Sequence, residues 1–173
     1  MAVTALTAAE FARQLQTFQS DDELRKIQRY FTSDNRDHFI GVRMLHVFTL
    51  AKTFIDLPPA EIETLLESPV HEVRAGALSI MSKQAARKST PDGRRRELFD
   101  LYLRRHDRID NWDLVDLAAP NVIGDYLLGR PRDVLDDLAR SRTPRSDAPR
   151  SSARSPSCAG ATSPTPCASR KSW

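Results

Sequence analysis

Along the first 140 residues apolar positions recur every three or four residues and nowhere alternate for long enough to suggest a strand, so the pattern predicts one helix after another. "TAAEFARQLQTF" and "SDDELRKIQRYF" each open with Thr or Ser followed three residues later by Glu, the capping box that occupies orphan amides at a helix start. A stretch rich in turn formers, "TSDNRDHFIG", ends in Gly41 and leads into "VRMLHVFTLAKTFI". There Met44, Val47, Phe48, Ala51 and Phe54 fall at helical spacing and are expected in the core. "PPAEIETLLES" begins with proline in its first turn, and "SPVHEVRAGALSIMSKQA" is expected to do the same with Ser68 as its cap.

Four of these segments repeat. "DDELRKI" from Asp21, "PAEIETL" from Pro59, "RRELFDL" from Arg95 and "PRDVLDDL" from Pro131 carry an acid and then an aliphatic residue at their third and fourth positions, at intervals of 38, 36 and 36. That period predicts an all-α chain of stacked antiparallel helix pairs, an α-solenoid in which each pair buries its apolar face only against its neighbours. The second helices of the pairs would be 43–55, 69–86 and one opening at Trp112.

Composition sets the scale. With 173 residues, 40% of them hydrophobic, there is material for one core of ordinary size. No apolar run is long enough to span a membrane, and "MAVTALTAAEFARQ" lacks the basic start and apolar stretch of a secretory signal, so a cytoplasmic location is expected. Cys158 and Cys167 have neither zinc-site spacing nor the density of a disulfide scaffold and read as incidental thiols.

The net charge of +3 changes meaning once it is divided. From Ser141 onward there are six Lys or Arg and one Asp, which leaves residues 1–140 with 20 basic and 22 acidic groups and a net charge of −2. Positive charge in the body is instead concentrated in Lys83, Arg87, Lys88, Arg94, Arg95, Arg96, Arg104, Arg105 and Arg108, with His106 among them. Such a local stripe suits phosphate binding, because each neutralised phosphate releases counterions. A solvated helix face is the competing reading.

One further stretch, "NWDLVDLAAPNV", holds Trp112 and Asp116 four residues apart, on one face of a predicted helix. A tryptophan at a helix start is commonly a packing residue, and Asp113 is assigned to favouring the helix N-terminus with Asn111 as cap. His71 and Glu72 lie in "HEVRA", which lacks the second histidine of a zinc helix. No metal and no cofactor are expected.

"LLESPVHEVRAGALSIM", "LFDLYLRRHDRIDNWDLVDLAAP" and "RPRDVLDDLAR" resemble the DNA alkylation repair family, AlkD-type glycosylases built from HEAT-like repeats, over residues 28–140. The tryptophan followed four residues later by aspartate is the most specific element. The resemblance implies a HEAT-like solenoid that cradles double-stranded DNA in a basic groove and excises N3- or N7-alkylated purines without flipping the base. It also implies Asp116 as the catalytic carboxylate and Trp112 as its aromatic neighbour. A non-catalytic helical repeat that binds DNA or protein is the alternative from another class.

After Arg140 the pattern departs from the family. "SRTPRSDAPRSSARSPSCAGATSPTPCASRKSW" has nine Ser, five Pro and no Val, Ile, Leu, Met or Phe, a composition that cannot bury enough apolar surface to fold. Residues 1–140 are therefore expected to form the helical domain and 141–173 a disordered tail. The family's further helices, with an arginine for backbone phosphate and a second active-site tryptophan, have no counterpart here; Trp173 has the wrong surroundings. In a frame shifted by two bases Ser151, Ser152, Ser155 and Cys158 can become apolar at helical spacing, so a truncated or frameshifted ending is expected, against a linker or localisation tail. The helix predicted at 131–140 would then present Val134, Leu135 and Leu138 without a neighbour, weakening activity; the chain is otherwise expected to be a monomer.

Overall fold

The computed structural model describes residues 6–30 and 38–135. Among them are α1 (Ala8–Gln16), α2 (Asp21–Tyr30), α3 (Met44–Thr53), α4 (Pro59–Leu66), α5 (His71–Ala86), α6 (Asp92–Arg104), α7 (Trp112–Ala119) and α8 (Asp125–Leu127). A 3-10 turn at His106–Arg108 precedes α7, and a π-helical segment, Pro120–Gly124, joins it to α8. No strand occurs among the described residues, so the all-α expectation holds there; His38 and Val70 form one isolated parallel bridge. Residues to Arg132 belong to one compact unit, and Asp133–Leu135, helical, begin another. The tail from Ser141, both cysteines and the second half of the expected 131–140 helix lie outside the described residues.

Two of the helix starts follow their expected signals directly. Thr7 accepts the Glu10 amide at 3.2 Å through its hydroxyl, and Pro59 opens α4 where its missing N–H costs nothing. Ser68 does not cap α5. Its hydroxyl accepts the Val70 amide, and the helix begins at His71. Residues 69–71 are drawn instead into the bridge, where His38 donates to the Pro69 carbonyl at 3.3 Å and its own carbonyl accepts from His71 at 2.9 Å.

α5 is buried on every side, which is why its apolar residues show no single stripe. It packs against α3, α4, α6, α7 and the π segment, while α4 also meets α6. First helices thus touch first helices and second helices touch second helices. Val47, Ala51 and Phe54 enter the core as expected, but Met44 and Phe48 are only half-buried. Met44 stands at the rim of a cleft and Phe48 lies beneath the Lys83 ammonium, 5.6 Å from its ring centre.

Candidate functional site

The first turn of α7 buries Leu114 and exposes Trp112 and Val115. Trp112 is 73% exposed and Asp116 is exposed one turn further on, so packing is not the job of this indole. Asn111 occupies the cap position with extended backbone, but its side chain makes no capping hydrogen bond. The cap comes from Asp113, whose Oδ1 accepts the Leu114 amide at 2.9 Å.

The other oxygen of Asp113 reaches into the protein. Oδ2 lies 2.7 Å from Nε2 of the buried His71, at the start of α5. Burial raises the Asp113 carboxyl, but the hydrogen bond and attraction of His71, with the Leu114 and Asp113 amides, outweigh it and hold the group below its ordinary range. One turn along α5, the buried Arg74 donates to the Arg108 carbonyl at 3.3 Å and pairs with Asp110 at 3.3 Å. The structure therefore brings His71, Asp113 and Trp112 together; sequence reading gave Asp113 only the role of favouring the helix N-terminus, with Asn111 as cap, and gave His71 no partner. The available signal was a cluster of charged and polar residues, His71, Glu72 and Arg74, at the start of a helix whose next turns, Ala75–Leu78, are small and apolar.

Beside Trp112 opens a cleft of about 390 Å³ whose walls include Ile27, Phe39, Met44, His71 and Asp113. Its floor is set by Glu72, a buried carboxylate that accepts the amides of Ile40, Gly41 and Val42 at 2.9–3.3 Å. Three backbone donors compensate a charge that would otherwise be costly to bury. Gly41 has φ 76°, and a Cβ there would lie 2.5 Å from the Ser20 carbonyl oxygen, so the turn requires glycine. Among the described residues no group of three or more His, Cys, Asp or Glu is placed to hold a metal ion.

The basic residues divide by partner. Arg104 and Arg105 pair with Glu63 on α4, Arg105 also with Glu67, and Arg108 donates to the carbonyls of Leu66, Glu67 and Ser68 at the end of that helix. Arg87 pairs with Asp56, Arg94 with Glu97 and Arg96 with Asp100, and Arg95 donates to the Arg87 carbonyl at 3.1 Å. His106 meets the Leu103 carbonyl at 2.9 Å through Nδ1. Lys83, Lys88 and Arg95 carry no ion pair among the described residues. Burial, then the nearby Lys52 charge, lowers the Lys83 pKa, and its ammonium donates to Ser79 at 2.9 Å.

Compared with known proteins, the chain matches the model of a family described as "DNA alkylation repair enzyme" over residues 11–144. No curated protein and no solved structure matches it.

Proposed function

The chain belongs to the DNA alkylation repair enzyme family, and from that premise we propose that it is a glycosylase excising N3- or N7-alkylated purines from double-stranded DNA without base flipping. Its setting would be the cytoplasm. Alkylation at a ring nitrogen makes the purine cationic and a good leaving group, so positive charge develops on the sugar as the glycosidic bond breaks. Asp116 would stabilise that charge and orient or deprotonate the attacking water, while Trp112 offers its face to the deoxyribose and the cationic base. The observation that carries the reading is that these two side chains, a turn apart on α7, both stand open to solvent within the family match.

DNA would be held by the basic residues from Lys83 to Arg108. Surface ion pairs such as Arg96 with Asp100 contribute little and can be exchanged for phosphate. Helix-on-like-helix packing supports a HEAT-like solenoid as the scaffold. Release of free 3- or 7-methylpurine from alkylated duplex separates this reading from a non-catalytic repeat that binds DNA or protein. Asp116→Asn should slow release on the order of 100-fold while leaving DNA affinity nearly unchanged. Equal rates for variant and parent would reject Asp116 as the catalytic carboxylate, and no release by the parent would favour the binding module.

A further inference from the structure

Trp112 has little packing to fix it. At 73% exposure its indole direction depends on where the backbone at the start of α7 is anchored, and the same holds for the exposed Asp116. Two anchors come from α5. His71, 3% exposed, holds Asp113 on one side of Trp112, and Arg74, 3% exposed, holds the Arg108 carbonyl and Asp110 on the other. The two lie three residues apart and so project from one face of α5.

Burying such groups is expensive, and apolar side chains would pack α5 more cheaply, as they do over most of its length. The best-attested return on a buried polar contact is a unique register between the elements it joins. Here the joined elements are α5, which is fixed in the core, and the short α7, whose continuation leaves α-helical geometry at Pro120. The approach to α7 and its first turn are thus tied to α5 at two points that straddle the indole in sequence.

We propose that His71 and Arg74 are positioning residues, which through Asp113, Asp110 and the Arg108 carbonyl set the direction of Trp112 and Asp116 towards DNA. The inference rests on the glycosylase reading for its consequence in rate, but not for its consequence in the motion of the indole. A misplacement of about 1 Å suffices to slow a positioned reaction by up to roughly 100-fold. Loss of either anchor should therefore act on the chemical step more than on binding.

The test uses the full chain in a Trp173→Phe background, so that Trp112 is its only fluorophore of that type. Arg74→Met keeps the stem and removes the guanidinium, Asp113→Asn keeps the shape and removes the charge, and His71→Gln retains a hydrogen-bonding side chain as the conservative control. Arg74→Met and Asp113→Asn should speed the local depolarisation of Trp112 emission and lower single-turnover excision about 10-fold, with affinity for undamaged duplex within about threefold. His71→Gln, which keeps a hydrogen-bonding group towards Asp113, should show both effects at smaller size. If one variant fails to fold, the other decides. Unchanged Trp112 depolarisation in variants whose melting temperature has fallen would overturn the proposal and leave the two residues as fold stabilisers. An inactive parent with faster Trp112 motion in the variants would instead refute the glycosylase reading and retain the anchoring.

Discussion

Asp113 is a carboxylate whose side chain keeps 26% of its exposure, and its titration reports on the fold. Burial opposes its ionisation, but the His71 contact and the local amides prevail, so its folded-state pKa lies below the ordinary 3.8. A depressed folded-state value means that ionised Asp113 stabilises the fold fully above the unfolded value, and that this stability is lost as pH falls through the lower folded-state value. Asp113→Asn should therefore melt below the parent near neutral pH, and the gap should narrow as the medium is taken from about pH 7 to about pH 3. Thermal denaturation followed by circular dichroism across that range checks it. A gap that stays constant with pH would show that the carboxylate's charge is not what the His71 contact uses.

Helix meets helix at close range where Phe11 of α1 lies over α5. Gly76 lies in the middle of α5, and a Cβ there would sit 2.4 Å from Phe11 Cζ, so the ring rests where any larger residue would carry its side chain. Gly76→Ala should cost about 1 to 3 kcal/mol by overpacking despite alanine's better helix propensity, and Phe11→Leu in the same chain should recover part of it. Chemical denaturation midpoints decide; a stabilised Gly76→Ala would mean that α1 shifts freely. No pattern of apolar spacing announces such a contact, because a glycine in a helical run looks only like a weak helix former. The helices themselves were legible: the Thr7 cap, Pro59 at the first turn and the apolar positions Val47, Ala51 and Phe54 each act where local rules place them. The start of α5 was not, since Ser68 lost its capping role to a bridge with His38, thirty residues away, that local chemistry does not contain. The site divides the same way. Trp112 and Asp116 are visible as an i, i+4 pair, whereas the hold of His71 on Asp113 and of Arg74 on Asp110 depends on how α5 meets the approach to α7.

For the whole molecule, electrostatics must work locally. Residues 1–140 carry 20 basic and 22 acidic groups, and the net charge of +3 comes from residues 141–173, so within the helical region attraction to DNA has to come from cations whose partners are weak or absent. By that criterion the stripe is unequal. Arg108 is spent on the last carbonyls of α4, and Arg104 and Arg105 are tied to Glu63, while Arg94, Arg95 and Arg96 hold only near neighbours on α6 or a single carbonyl. Replacing Arg94, Arg95 and Arg96 together with alanine should weaken binding to undamaged duplex and flatten the dependence of log K on log salt by up to about three units, since each lost phosphate contact removes about 0.9. Arg108→Ala should instead lower the melting temperature and leave the slope close to the parent's, because the groups it abandons are carbonyls at and just after the end of α4 and not phosphates. Binding titrations at several salt concentrations distinguish the two. An unchanged slope for the triple variant would make those arginines a solvated face, and a flattened slope for Arg108→Ala would move the DNA contact to the α4 side of the stripe.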